Sequence, residues 1–380
     1  GILICQDFMI ACSMYPGDKA FLDNVKQEAT EHFKKLRNHP CLALWCGNNE
    51  SDEGWHNWGW QKQFKYAQKD STKIWNDYKK LFHEVLPSIV KQNDFKIPYW
   101  PSSPQIGWGH KESLKQGDSH YWGVWWGNEP FEIYEKKVGR FMSEYGFQSL
   151  HSLETFKSFC DSADLTINSV AVKNHQKHKT GFETITEYMK RDFIVPTGFE
   201  KFIYVSQLVQ AHGMKIAIES HRIAKPHCMG TLFWQFNDCW PVTSWSAIDF
   251  YNRPKAFYYA LENLYDDVLV SVRKNRIHYE IYIVNDKLKS IEGTLTLNVC
   301  DFSGKKFETS EMTIRIPANS SELYYSFPVI EDKDRKHENT YLRYSFVSSD
   351  SAINKKALYY FTSPKNLNLQ IPKLNLVYYS

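Results

Sequence analysis

The chain has 380 residues, enough for two or three domains or for one large barrel with a satellite. Its 46 basic and 43 acidic residues leave a net charge of +3, a near-balance that predicts no nucleic-acid partner. No run approaches the ~18 uninterrupted apolar residues of a membrane span, and the eight cysteines form no CxxC and no Cys/His cluster with zinc spacing. No metal is therefore expected. Cysteines inside apolar runs behave as small hydrophobes, so reduced thiols are favoured over a disulfide framework.

In chain order, the first element is GILICQDFM, an apolar strand without an initiating Met. No signal peptide can be read from such an opening, which is expected of a mature fragment or a truncated piece. Residues 18–37 have helical periodicity, with Phe21, Val25, Ala29, Phe33 and Leu36 on one face and a stop at Asn38-His39-Pro40. The run Leu42 to Cys46 is a buried strand that halts at Gly47 and leads directly into Asn48, Asn49 and Glu50. A helix is expected over 71–86, facing inward through Ile74, Trp75, Tyr78, Leu81, Phe82 and Val85 and ended by Pro87. Further strands are expected at 97–100, 119–126, 141–145 and 231–236, with a long helix over 200–225 and a closing helix over 253–264. Alternation of strands and helices over this length argues for a parallel sheet, closed or open.

All thirteen tryptophans fall between Trp45 and Trp245. From about residue 268 the pattern changes to period-two strands separated by turn residues, as in VLVSVRKNRIHYEIYIVND and TYLRYSFVSS. That is the pattern of an antiparallel β-sandwich of immunoglobulin-like size. The expected domains are residues 1–265, 266–362 and a terminal stretch, 363–380, that is a linker or the start of something further.

Three strand tips carry the chemistry-bearing residues: CLALWCGNNE with Glu50, FMSEYGFQS with Glu144, and GTLFWQFNDCWP with Trp234 and Asp238. Barrel and open α/β folds place ligands at the C-terminal tips of their strands. A Glu at one such tip, taken alone, is more often structural or solvated. Taken together, carboxylates, amides and tryptophans at three tips point to a polar-aromatic pocket. A Ser-His-Asp hydrolase is excluded for want of a GxSxG elbow.

The motifs WCGNNE, SEYGFQS and WQFNDCWPVTSWSAID, with QDFMIACSMYP and HYWGVWWG, resemble glycoside hydrolase family two in its β-mannosidase branch. The similarity runs in order over residues 1–265. It implies a (β/α)8 TIM-type barrel followed by the immunoglobulin-like sandwich, and retaining hydrolysis of terminal β-D-mannose by two glutamates. Glu50 closes the motif that carries the acid/base and Glu144 occupies the nucleophile position. Such a pair needs carboxyl groups about 5–5.5 Å apart, one protonated and one ionised, and the charge on Glu144 would help raise the pKa of Glu50. The resemblance further implies that Asn49 bonds the sugar 2-hydroxyl, that Trp234 forms a floor beneath the ring, and that Trp58 and Trp122 are aromatic walls. Trp55, Trp60, Trp125 and Trp126 compete for the wall positions. Asn237 and Asp238 would support the pocket, His110 and His120 are expected as loop or supporting histidines, and Asp7 as a pocket-orienting or a strand-supporting residue.

With carboxyls doing both the proton transfer and the attack, no cofactor is expected. The partner is a β-mannoside glycoside or oligosaccharide. Other enzymes of the family, an endo-β-mannosidase or an exo-glucosaminidase, and a non-catalytic carbohydrate-binding barrel are the alternatives. An extracytoplasmic location is slightly favoured by the resemblance. The chain departs from the family in lacking the N-terminal domains and the first two barrel strands, so it is expected to supply strands three to eight and to be an incomplete fragment of the enzyme.

Overall fold

The computed structural model describes residues 2–93, 96–328, 331–333 and 335–370. The expectation for the terminal stretch falls partly outside them. The chain divides into two compact units. The first runs to Gly123 and takes in Gly139–Tyr145; the second comprises Val124–Val138 and everything from Gly146 onward.

In the first unit, β1 (Ile4–Asp7), β2 (Leu42–Cys46) and β3 (Tyr99–Trp100) form a parallel sheet in that order. A second parallel pair joins β4 (Ser119–His120) to β5 (Met142–Glu144). Helix Lys19–Leu36 connects β1 to β2. Asp18 starts it by accepting the amide of Phe21 at 3.0 Å, which satisfies one of the free first-turn donors. Its buried face, Leu22, Val25, Ala29 and Phe33, packs around Trp45 of β2. The Trp45 ring lies 4.7 Å from Phe33 and 5.4 Å from Phe8, fully enclosed. Truncating so large a buried ring to Ala costs about 3–5 kcal/mol, which makes Trp45 the anchor that fixes β2.

Pro87 does not end the next helix, contrary to expectation. Gln68–Lys79 passes through a π-helical stretch, Lys80–Val85, into Leu86–Asn93. In the widened stretch the Leu86 amide bonds to the Leu81 carbonyl. Wider spacing of this kind accommodates a proline that lacks a donor and would clash in a tight α-turn. The strand expected over 119–126 is confined to Ser119–His120; residues 123–126 form a turn in which Trp125 takes a left-handed backbone (φ 76°).

The second unit carries helix Phe199–Ile223 packed against Ala256–Leu264, followed by seven strands. These are β6 (Val268–Asn275), β7 (His278–Asn285), β8 (Ile291–Asp301), β9 (Lys306–Ile316), β10 (Ser320–Pro328), β11 (Thr340–Ser348) and β12 (Asn354–Tyr360). They form two antiparallel sheets, β10-β7-β6 and β12-β11-β8-β9, around a core that includes Ile281, Ile283, Leu295 and Phe346. The sequence reading missed β12. Its NKKALYY has little apolar alternation because it is an edge strand, where lysines discourage further pairing. The strand expected over 231–236 is not formed. The carbonyls of Gln235 and Phe236 accept instead from Ala247 and Ile248 at 3.0–3.2 Å, so this stretch pairs with the following turn.

Among the described residues no helix is long and apolar enough to cross a membrane. Among the described residues no disulfide is formed.

Candidate active site

The C-terminal ends of β1, β2, β4 and β5 each deliver polar groups within the first unit. β1 ends at Asp7, β2 leads into the Asn48–Glu50 tip, and β4 and β5 end on His120 and Glu144. Gly47 lets the tip of β2 pass its neighbour. A Cβ there would lie 2.4 Å from both the Pro101 carbonyl and the Tyr99 hydroxyl. Asn48 is wholly buried and fastens the tip. Its amide donates to Pro101 O at 2.8 Å, and its Oδ1 accepts from the Ser51 amide and the Ser102 hydroxyl, each at 2.9 Å. Glu50 then takes a left-handed backbone (φ 61°, ψ 6°), uncommon for a residue with a side chain and frequent at functional positions.

His120 joins the two glutamates. Its Nδ1 lies 2.9 Å from Glu50 Oε1 and 3.3 Å from Glu144 Oε2, with all three side chains nearly enclosed. The ligand atoms of Glu50, His120 and Glu144 lie within 4.8 Å of one another. Among the described residues this is the group able to hold a metal ion, though each atom already has a partner inside the cluster. On its other side, His120 Nε2 is 2.9 Å from Ser103 Oγ. The single hydroxyl proton of Ser103 goes to Asp118 Oδ2 at 2.5 Å, so Ser103 must accept from Nε2. Nδ1 faces carboxylates. Nε2 is therefore a donor, and with either glutamate ionised Nδ1 donates as well, which makes His120 an imidazolium. Asp118 is held in turn by the Ser143 hydroxyl (2.7 Å) and the Gln105 amide (2.8 Å).

The electrostatics agree with that assignment. Burial pulls the His120 pKa down, but Glu144, Glu50 and Asp118 overcome it and hold the ring up at about 9. The Glu144 carboxyl is raised, first by burial and then by Glu50 and Asp7, against the opposing effects of His120 and of a hydrogen bond from Trp122. Asp7 is also raised, chiefly by burial. The cluster thus retains protons near neutrality in place of two bare carboxylates side by side.

Of the residues expected at the site, the structure brings Glu50, Glu144 and Trp122 together. Trp122 is a hydrogen-bond partner of Glu144, a role beyond that of an aromatic wall. Asn49 lies on the same tip with its amide 3.6 Å from the Cys12 thiol, and that sulfur is also 3.6 Å from Glu50 Oε2. Trp58 is 44% exposed and stands edge-on to Trp60, 5.7 Å away. Trp234 belongs to the second unit and is 43% exposed. Asp238 has a structural occupation in that unit, accepting from Ser244 Oγ (2.9 Å), Ser246 Oγ (2.6 Å) and Gln235 Nε2 (2.9 Å). Sequence reasoning did not foresee the bridging place of His120, the Ser103–Asp118 support or Cys12. The one available signal was position, since His120 opens the HYWGVWWG motif.

Residues 278–366 match the family described as a mannosidase Ig/CBM-like domain. The chain is 33% identical over 296 residues to a β-mannosidase B of Thermothelomyces thermophilus, covering 73% of this chain and 34% of that protein. It is 31% identical over 319 residues to a β-mannosidase B of Aspergillus niger, covering 78% and 37%. Among solved structures, the β-D-mannosidase of Dictyoglomus thermophilum superposes with a TM-score of 0.86 at 35% identity, over 97% of this chain and 44% of that one. An exo-chitosanase of Amycolatopsis orientalis shares the fold, with a TM-score of 0.67 at 14% identity over 91% and 39%.

Parallel strands with carboxylates at their tips, followed by an immunoglobulin-like sandwich, are consistent with the barrel-plus-sandwich class of glycoside hydrolases. Within that class, the chain is a relative of the β-mannosidases of glycoside hydrolase family two and corresponds to their C-terminal region. It spans 34–44% of the length of these β-mannosidases.

Proposed function

We propose that this chain carries the two catalytic carboxyls of a retaining exo-β-mannosidase, with Glu144 as nucleophile and Glu50 as acid/base. The observation that supports this best is the enclosed Glu50–His120–Glu144 cluster, whose facing atoms lie within 4.8 Å. Facing oxygens this close are nearer the ~5–5.5 Å separation of a retaining pair than the ~6.5–9.5 Å of an inverting one. In the first step Glu144 Oε attacks the anomeric carbon as the glycosidic C–O bond breaks, and Glu50 gives its proton to the departing oxygen. In the second, Glu50 takes a proton from water, whose oxygen displaces Glu144 and regenerates the carboxylate.

His120, cationic between the two, lowers the cost of holding Glu144 ionised in a buried site. Trp122 donates to the same carboxylate. Asn49, on the Glu50 tip, would bond a sugar hydroxyl; this role and the sugar contacts of Trp58 and Trp234 rest on the resemblance. In this reading β1–β5 are part of a larger barrel that this chain does not complete, so the chain alone should turn over little substrate.

The test uses the complete polypeptide and an aryl β-mannoside. Glu50→Gln should lower turnover about 10²–10⁴-fold, the range of general acid–base assistance, and Glu144→Gln at least as much. Azide should rescue Glu144→Ala with an α-mannosyl azide and Glu50→Ala with a β-mannosyl azide, since each truncation opens the opposite face of the anomeric carbon. Near-wild-type turnover in Glu144→Gln would overturn the assignment, and preference for a glucosaminide would overturn the mannoside specificity.

A further inference from the structure

Between Glu50 and Glu144, His120 holds a proton at a point where a metal ion would also fit. The argument starts from Ser103. Its hydroxyl proton is committed to Asp118, so it can only accept from His120, and Nε2 keeps its hydrogen whether the ring is charged or neutral. The exchangeable proton is therefore the one on Nδ1. Without it, Nδ1 turns a lone pair toward Glu50 Oε1 at 2.9 Å and Glu144 Oε2 at 3.3 Å. Three donor atoms, from the ends of β2, β4 and β5, then converge within 4.8 Å of one another and nearly enclosed.

Tetrahedral zinc binds nitrogen and oxygen at about 2.0–2.1 Å, which sets neighbouring donors about 3.3 Å apart. The two contacts of Nδ1 already stand near that spacing. A separate observation points the same way. A metal-bound imidazole is ordinarily steadied by an acceptor on its other N–H, which fixes the tautomer and the ring plane. Ser103 is that acceptor, and Asp118 behind it is anchored by the Ser143 hydroxyl and the Gln105 amide. One imidazole and two carboxylates suit zinc and its neighbours, whereas calcium and magnesium take six or more oxygens. Three protein ligands leave a fourth position to water. The Cys12 thiol faces the other oxygen of Glu50, Oε2, at 3.6 Å and stands outside the group of mutually close donors.

We infer that Glu50, His120 and Glu144 form a binding site for a divalent cation of the zinc class. The metal bonds to Nδ1 and to one oxygen of each glutamate, the Nδ1 proton passes to solvent, and nothing is oxidised or reduced. Binding rests on the cluster alone. Only its consequence rests on the proposed function: an occupied site withholds both carboxyls from a substrate, so the cation is a competitive inhibitor.

The test titrates the folded 380-residue chain with zinc chloride, by calorimetry and by nitrogen NMR of the His120 imidazole. Wild type should bind one equivalent, with Nδ1 losing its hydrogen and Nε2 retaining it. Ser103→Ala should bind about 10–100-fold more weakly, the range for a group that orients a metal ligand, and Glu144→Gln more weakly still. Cys12→Ser should bind as wild type does. Unchanged affinity in Glu144→Gln overturns the inference, as does loss of binding in Cys12→Ser, which would assign the metal to the thiol. Absence of binding at millimolar zinc in the folded wild-type chain overturns it too. On the complete polypeptide, zinc should raise the KM for an aryl β-mannoside and leave kcat unchanged. Zinc that binds at His120 Nδ1 without raising KM would uphold the metal site and overturn the proposed function instead.

Discussion

Two buried histidines, one in each unit, behave in opposite ways. His120 and His221 are 3% and 1% exposed. His120 is held up at about 9 by the carboxylates around it, whereas His221 is pushed down to about 3 by burial. His221 sits on helix Phe199–Ile223 with its Nδ1 2.9 Å from the Thr231 hydroxyl, against the ring of Tyr134. Burial acts the same way on both and favours the neutral ring. The difference is the company: two glutamates near strand tips and an aspartate just before β4 in one case, a hydroxyl and an aromatic ring in the other. Enclosure alone therefore yields packing, and enclosure with facing carboxylates yields a charged centre. Only the second can organise a reaction that moves charge.

The largest expected effect breaks that contrast at its source. Replacing Glu50 and Glu144 together by Gln removes the two nearest anions, and the His120 pKa should fall from about 9 to below 6.5, toward the behaviour of His221. Two-dimensional NMR of the imidazole reads it directly. A value still near 9 in the double variant would mean that Asp118 and Ser103, not the glutamates, hold the proton.

Stability should separate the pair next. His120→Leu removes a buried cation and leaves enclosed carboxylates uncompensated, a change that costs about 3–5 kcal/mol. His221→Leu exchanges a neutral ring for an apolar side chain and gives up the hydrogen bond to Thr231, a loss of about 1 kcal/mol. Hydrogen exchange at the β2 amides for the first variant, and at the Phe199–Ile223 amides for the second, reads each unit by itself. Equal losses would show that His120 is as neutral as its counterpart.

The pH dependence follows with opposite signs. The folded pKa of His120 is raised, so its contribution is complete below 6.5 and is lost as pH rises toward about 9. The folded pKa values of His221 and His151 are lowered to about 3, so their contribution is complete above 6.5 and is lost as pH falls below it. Each such group contributes a slope of up to about 1.4 kcal/mol per pH unit. Glu144, raised, works against the acid-side loss, because its contribution is complete below its unfolded value and declines as pH rises. Urea titrations between pH 4 and 6 should show a shallower slope in His221→Leu than in wild type, and titrations between pH 7 and 9 a shallower slope in His120→Leu.

The sequence made some of this visible and concealed the rest for physical reasons. Local periodicity revealed the helix that begins after Asp18 and most of the sandwich strands, because burial on one face imprints itself every 3.6 or two residues. Glu50 and Glu144 stood out because each ends an apolar strand. The place of His120 could not be read, since it depends on the pairing of β4 with β5 and on a glutamate 70 positions away. Trp122 was legible as an aromatic residue but not as a hydrogen-bond donor, which is a matter of ring orientation. The missing ladder at 231–236 and the helix that runs through Pro87 mark where tertiary hydrogen bonding overrode a sound local rule.

The smallest expected shift of the His120 proton comes from the support behind the ring. Ser103→Ala removes the acceptor for His120 Nε2 and one donor to Asp118, while Ser143 and the Gln105 amide still hold that aspartate. One bond to a charged group is lost on each side, and each should cost about 1.5–3 kcal/mol of stability. The Nδ1 contacts to both glutamates remain, so the imidazole should stay protonated well above 6.5. If the ring instead became neutral at pH 7 in Ser103→Ala, the serine–aspartate side would be what separates His120 from His221, and the lesson about facing carboxylates would shift from the two glutamates to Asp118.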